Sequence, residues 1–210
     1  GAFLPPVSLP RRMWASSTVT FHEPIMVGAA IERHSVIADV AEKEGASGRL
    51  VFVSIDHETQ ADGALAVSER QTIVYREAVT VSSAPPGSGE PDLAAWQWHR
   101  TLTPSELLLF RYSALTFNSH RIHYDRPYAM NVERYRGLLV HGPLMATLLL
   151  GLASRELGSN ALGRFSFRGQ SPAFADEALH LVGRPQGGKI ALAALGSDGR
   201  TIMTADGEGG

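Results

Sequence analysis

Arg136-Gly-Leu-Leu-Val-His-Gly-Pro-Leu-Met-Ala-Thr-Leu-Leu-Leu-Gly-Leu-Ala153 is apolar on almost every face from Leu138 onward. A helix that is hydrophobic all round belongs inside a core, so this stretch is expected to be the buried helix that the rest of the chain wraps. Pro143 suits its first turn, where no amide donor is needed. The amides of His141 and Gly142 then point out of the positive helix end, free to bind an oxygen carrying negative charge. Just upstream, Thr116-Phe-Asn-Ser-His-Arg-Ile-His-Tyr-Asp125 gathers Asn118, His120, Arg121, His123 and Asp125 into one short segment. Such groups accept, donate and steer protons. A polar cluster aimed at a buried helix N-terminus reads as an active site.

Working outward, Thr103-Pro-Ser-Glu106 marks a helix start, with Thr103 as N-cap and Glu106 three residues on. That helix runs to about Leu115, and the buried helix runs to about Leu157, closed by Gly158. Ahead of these, Trp96 to Leu102 reads as a strand. Beyond them, Gly163 to Gln170, Ala178 to Gly183, Lys189 to Leu195 and Thr201 to Thr204 read as strands, with Ser197-Asp-Gly199 as a hairpin cue. The Gly207–Gly210 tail follows a strand and precedes no helix, so it is no phosphate loop. In the first half, Phe3 to Met13 carries Pro5, Pro6 and Pro10 and cannot form a regular helix. From Ser17 to Tyr75 the chain is β-like, with turns at Gly45-Ala-Ser-Gly48 and Ala61-Asp-Gly63. Short connections imply an antiparallel meander. No helix in that half is long enough to cover its sheet, so either an upstream piece is absent or the other half covers it. The chain opens on Gly1, not Met. Three divisions follow: residues 1–81 as a first half, 82–95 as a linker rich in Ser, Pro and Gly, and 96–210 as the half with the active site.

The 210 residues are 44% hydrophobic and 19% charged, enough apolar mass for a core. A net charge of -2 gives no reason to expect nucleic acid or an anionic membrane as partner. No apolar run reaches the ~18 residues of a membrane span, and no secretion signal opens the chain. Zero cysteines exclude disulfides, thiolate metal sites and a cysteine nucleophile. A cytoplasmic address is the default reading.

A sheet wrapped around one buried helix, with a polar loop ahead of it, resembles the hot-dog fold, an α+β architecture. Two such halves make a double hot-dog. The window Phe117-Asn-Ser-His-Arg-Ile-His-Tyr-Asp125, with His141-Gly142 downstream, resembles the MaoC-like (R)-specific enoyl-CoA hydratases. Their signature is Gly-Asp-x-Asn-Pro-aliphatic-His-x-Asp followed by a His-Gly pair. Ile122, His123, Asp125, His141 and Gly142 keep the pattern, whereas Phe117, Asn118, His120 and Arg121 depart from it. Asn118 stands where the family has one of its two catalytic groups, an Asp. With the Pro10-Arg-Arg-Met-Trp14 opening, the chain looks more like a two-domain branch that includes itaconyl-CoA and mesaconyl-CoA hydratases. In that branch the N-terminal half usually begins with a helix further upstream.

The resemblance implies a hydro-lyase that adds or removes water across the α,β-bond of an acyl-CoA, with coenzyme A as part of the substrate and no metal or redox cofactor. His123, with an ordinary pKa near ~6.5, takes the proton from water. Asn118 either holds that water and orients His123, or fixes the loop as an Asx turn. Gly142 serves either helix packing or the approach of a thioester oxygen to its amide. Asp125 orients His123 or forms a surface ion pair. Arg121 and His120 bring charge where the family has Pro and Asn, and Arg111 and Arg136 add to it. A guanidinium suits a carboxylate, so a short dicarboxylic acyl group of the itaconyl or mesaconyl type is expected, with His141 also at the substrate. The same Arg121 turned outward onto Asp125 or the CoA phosphates is the competing reading. His22, His34, His57, His99 and His180 lack a cluster and are read as non-catalytic. No histidine or carboxylate spacing supports a metal. Two other functions remain open, an acyl-CoA thioesterase on the same fold and a catalytically idle scaffold subunit. A homodimer is the expected assembly.

Overall fold

The computed structural model describes residues 3–45, 48–77 and 89–210. Residues 46 and 47 of the Gly45–Gly48 turn and residues 82–88 of the expected linker lie outside them. The elements in chain order are β1 (Arg11–Phe21), β2 (Ile31–Gly45), β3 (Gly48–Ala61), β4 (Ala64–Arg76), β5 (Trp98–Leu102), α1 (Glu106–Leu115), a 3-10 turn (Arg121–His123), α2 (Arg126–Asn131), α3 (Gly142–Leu157), β6 (Leu162–Gly169), β7 (Leu179–Gln186), β8 (Lys189–Gly196) and β9 (Thr201–Gly209). They fall into two compact units, one of residues 1–79, 162–168 and 207–210, the other of residues 80–161 and 169–206.

The first unit is antiparallel sheet in the order β2-β3-β4-β1-β6. Val51, Val53 and Ile55 alternate along β3 and are buried with Tyr75, with Leu4, Val7 and Leu9 of the proline-rich opening packed on them. That opening covers apolar surface without being helical, because proline fixes its φ and removes donors. The β3–β4 turn has φ of 50° at Asp62 and 82° at Gly63, the doubly left-handed geometry that Asp-Gly favours. Asp62 also accepts a bond from the Ala30 amide (2.9 Å). β1 already begins at Arg11, ahead of the expected Ser17, and is bulged between Trp14 and Ser16.

The second unit holds strands in the order β9-β8-β7-β5, with α3 packed against β5, β7 and β8. Leu144, Leu149 and Leu152 of α3 are buried, as are Leu179, Leu181 and Leu192 of the strands. Val182, Ala193 and Leu195 form a second cluster with Leu93 and Trp96. The buried residues of α3 lie on one side; Thr147, Gly151 and Ser154 are exposed. The expectation of a helix enclosed on every face is therefore corrected: its apolar face is wide, but nothing in the described chain covers this stripe.

Three further local readings change. Ser105, not Thr103, caps α1: its backbone is extended and its Oγ accepts from the Leu108 amide (3.2 Å). The serine sits immediately before Glu106, so it reaches the third amide of the helix. The loop after α1 contains the 3-10 turn and α2, capped by Asp125. The Gly207–Gly210 tail is strand through Gly209; Leu162 and Gly163 lie where side chains on Gly207 and Gly210 would go.

α1 ends in a Schellman motif: Asn118 donates to the Ser113 carbonyl (2.9 Å) and Phe117 to that of Ala114 (3.4 Å). The left-handed residue is Phe117 (φ 52°), 94% exposed, where the signature it resembles carries glycine. A β-carbon in that conformation is strained. Phe117→Gly is expected to raise stability by up to about 1 kcal/mol, read from the urea midpoint; a variant less stable than the parent would show that Phe117 makes compensating contacts.

Candidate active site

The site loop is tied to the segment that enters α3 by two reciprocal bonds. The Leu139 amide donates to the Ile122 carbonyl (3.0 Å), and His123 Nδ1 donates to the Leu139 carbonyl (2.8 Å). Leu138 and Val140 in turn pair with Ala175 and Ala173. A carbonyl can only accept, so Nδ1 carries the proton and Nε2 of His123 is left as a lone pair. Nε2 has no partner among the described residues and is not sealed from solvent. This is the tautomer a proton acceptor needs.

His141, the N-cap of α3, has no exposed surface. Its ring stacks on His123 with centroids 3.7 Å apart and planes 19° apart, and the Tyr112 ring lies 4.9 Å away. Its Nε2 meets Ser113 Oγ at 2.8 Å, while Nδ1 is buried without a partner. His120 lies edge-on to His123 at 5.6 Å. Burial lowers His123 to about 4, with the bond to Leu139 opposing and His120 adding to the fall. Burial and the two neighbouring imidazoles lower His141 to about 3. Both rings are therefore neutral at pH 7.

Asn118 Oδ1 accepts from the His120 amide (3.0 Å), an Asx turn that shapes the loop. Asp125 does not orient His123, since the Leu139 carbonyl already does. Its Oδ1 caps α2 at Tyr128 and its Oδ2 accepts from Arg121 Nη2 (2.6 Å), contacts that hold its carboxyl below the usual range. Arg121 lies over the Tyr128 ring at 4.1 Å. Arg136 is spent on Glu177 (2.5 Å) and Arg126 on Glu106. At Gly142, the first residue of α3, an added Cβ would meet no heavy atom within 4 Å. Helix packing does not require glycine there, and the space where a side chain would go is open. Ser113 and the Leu139 carbonyl escaped sequence reasoning. Ser113 falls four residues after buried Leu109, which places both on one helix face, the one local signal for it.

The family is shown by comparison with known proteins. The family model for hydroxyacyl-thioester dehydratase type 2 matches residues 1–175. The chain belongs to that family. It is thus a hydro-lyase of acyl thioesters. The chain is 44% identical over 205 residues to the mesaconyl-C(4)-CoA hydratase of Chloroflexus aurantiacus, covering 98% of this chain and 72% of that protein. Among solved structures, HtdX of Mycobacterium tuberculosis superposes with a TM-score of 0.74 at 18% identity, over 100% of this chain and 79% of that one. Another protein of that organism, described as a double hot-dog, gives 0.62 at 12% identity, over 95% and 74%. The fold is the hot-dog of the MaoC-like proteins. Among the described residues, no helix is long and apolar enough to cross a membrane.

The neutral imidazoles have a consequence for stability. The unfolded chain takes up protons near pH 6.5, whereas the folded rings resist until about 4 and about 3. Stability is therefore fully present above pH 6.5 and falls as pH drops below it, by about 2 kcal/mol for each ring at pH 5. Urea midpoints at pH 7.5 and 5.0 should show this fall, reduced in His123→Gln. Identical pH dependence in parent and variant would contradict it.

Proposed function

We propose that this hydro-lyase hydrates the α,β-double bond of a short dicarboxylic acyl-CoA, of the mesaconyl or itaconyl type, with coenzyme A as part of the substrate. The observation that carries the chemistry is the Leu139-anchored His123, whose bare Nε2 lies on the loop bonded to the start of α3. In this reading Nε2 removes a proton from water and returns one toward Cα, while the Gly142 amide holds the thioester oxygen as it gains enolate charge. Preorganised donors of that kind lower barriers by about 3–4 kcal/mol. Asn118 cannot exchange protons; its Oδ1 shapes the loop, and its amide nitrogen is left to position the water. No metal or redox cofactor enters this scheme.

The acyl group is supported by the 44% identity to the Chloroflexus mesaconyl-C(4)-CoA hydratase and by Arg121, which shares the 3-10 turn with His123. Arg121 presents Nε and Nη2 to Asp125 but is 55% exposed along its side chain. In the proposal its remaining edge meets the substrate carboxylate, with His120 alongside, His141 behind the base and Asp125 holding the guanidinium in place. A homodimer acting in the cytoplasm completes the reading. Sedimentation of the purified chain tests the first part and a fluorescent fusion the second.

Incubation with mesaconyl-CoA and crotonyl-CoA, following both the enoyl chromophore and free thiol, tests the reaction. Loss of chromophore without thiol is expected; thiol release would indicate a thioesterase instead. His123→Ala should lower kcat by ~10²–10⁴ with the fold intact. Near-parental turnover would remove His123 from the mechanism. Because a side chain on Gly142 points into open space, Gly142→Ala should fold normally yet lose turnover by roughly tenfold or more.

Substrate choice has its own test. Arg121→Ala should reduce kcat/KM for mesaconyl-CoA more than for crotonyl-CoA, by ~1.5–3 kcal/mol for a charged hydrogen bond. Equal losses would leave Arg121 as a loop-bracing residue and sink the carboxylate contact.

A further inference from the structure

We propose that Ser113 is a positioning residue of this active site, fixing through its hydrogen bond to His141 the ring on which His123 is stacked. The inference rests on the assignment of His123 as the base. A single hydrogen bond from Nδ1 to the Leu139 carbonyl (2.8 Å) pins one atom of the His123 ring. It does not set the plane of that ring, and so does not aim Nε2. The plane is set by the face of His141, stacked at 3.7 Å and 19°. His141 in turn has one polar anchor among the described residues, Ser113 Oγ at 2.8 Å, since its Nδ1 is buried and unpartnered. Ser113 and His141 are both buried, at 6% and 0% exposure, so no bulk water competes for that bond, and a bond made in such surroundings orients its partners strongly.

The surroundings of His141 leave Ser113 without a substitute. From α1 come the Tyr112 ring at 4.9 Å and Ser113; from the site loop come His123 and, further off, His120. Among the described residues no carboxylate acts on His123 or His141, so none stabilises a proton on either stacked ring. Without the serine hydroxyl, His141 would have neither nitrogen paired. A buried polar group in that state turns toward water. The stack then loosens, water enters, and His123 regains part of the basicity that burial removed while losing its direction. Loss of Ser113 should therefore impair turnover more than substrate binding, and move the titration of the base toward the ordinary histidine range.

The test is a double-mutant cycle with mesaconyl-CoA or crotonyl-CoA, whichever the parent turns over faster, reading kcat, KM and the pH profile. In Ser113→Ala, kcat should fall tenfold or more with KM within twofold, and the acid limb of kcat/KM should rise by at least half a pH unit. Added to His123→Ala, Ser113→Ala should cost nothing further, because its effect passes through that ring. If Ser113→Ala does not fold, Ser113→Cys, which keeps the volume and weakens the bond, is read the same way. An unchanged kcat, an unmoved acid limb, or fully additive losses would overturn the proposal, leaving Ser113 a packing residue whatever its effect on Tm. The two assignments fail separately. Parental activity in His123→Ala removes the base itself, whereas an inactive His123→Ala beside an unimpaired Ser113→Ala removes only this inference.

Discussion

The pair of hydrogen bonds between Leu139 and the Ile122–His123 turn is the constraint on which the candidate active site depends. One bond is backbone to backbone and uses no side-chain group. The other uses the histidine as a donor, so a structural contact and a chemical choice are the same event: tying the loop to the helix entry also selects the tautomer. Because Leu138 and Val140 are themselves paired with residues 173–175, the anchor has little freedom of its own. His123 is thereby referred to the backbone rather than to a mobile side chain. A carboxylate partner would have raised its basicity; a carbonyl leaves it a weaker, neutral base.

The polar groups around that anchor are arranged in tiers. Ser113 Oγ bonds His141, His141 stacks on His123, and the Asx turn of Asn118 shapes the loop that carries His123. Ser113 contributes twice, since its carbonyl also accepts the Asn118 amide in the motif that ends α1. The end of one helix and the start of another thus meet around two rings that carry no charge. Holding two neutral imidazoles in contact is possible because burial disfavours a proton on either. Arg121 and Asp125, by contrast, are paired with each other, and Asp125 caps α2.

Much of this was legible from residue patterns, and the gaps have physical causes. The α3 stretch announced itself by apolar residues on successive turns with proline at its start, and the antiparallel strands by alternation and Asp-Gly turns. The hydratase resemblance rested on Ile122, His123, Asp125, His141 and Gly142, and the fold stacks the His123 ring on His141 at the start of α3. What could not be read was the partner of each polar group. Asp125 looked like an orienting acid because it is two residues from His123, yet a strand-like carbonyl sixteen positions away has that role. Backbone acceptors carry no sequence signature. Ser113 was invisible for a related reason: a small hydroxyl in an apolar helix gains meaning only from what crosses it. Thr103 and Ser105 both qualify as caps, and extended geometry at the second decided between them.

The place of β6 bears on how the chain reaches this state. β1 lies between β4 and β6, and the Thr18–Ser166 contact joins residues 148 positions apart. At ~5–20 residues per second of synthesis, the N-terminal strands would wait roughly ten seconds or more for their last neighbour. Until then one flank of β1 offers unpaired backbone donors and acceptors to any strand nearby. Closing so long a loop is also entropically costly and kinetically slow. The sheet of the first unit is thus the element whose completion sets how early β1 is safe from mispairing.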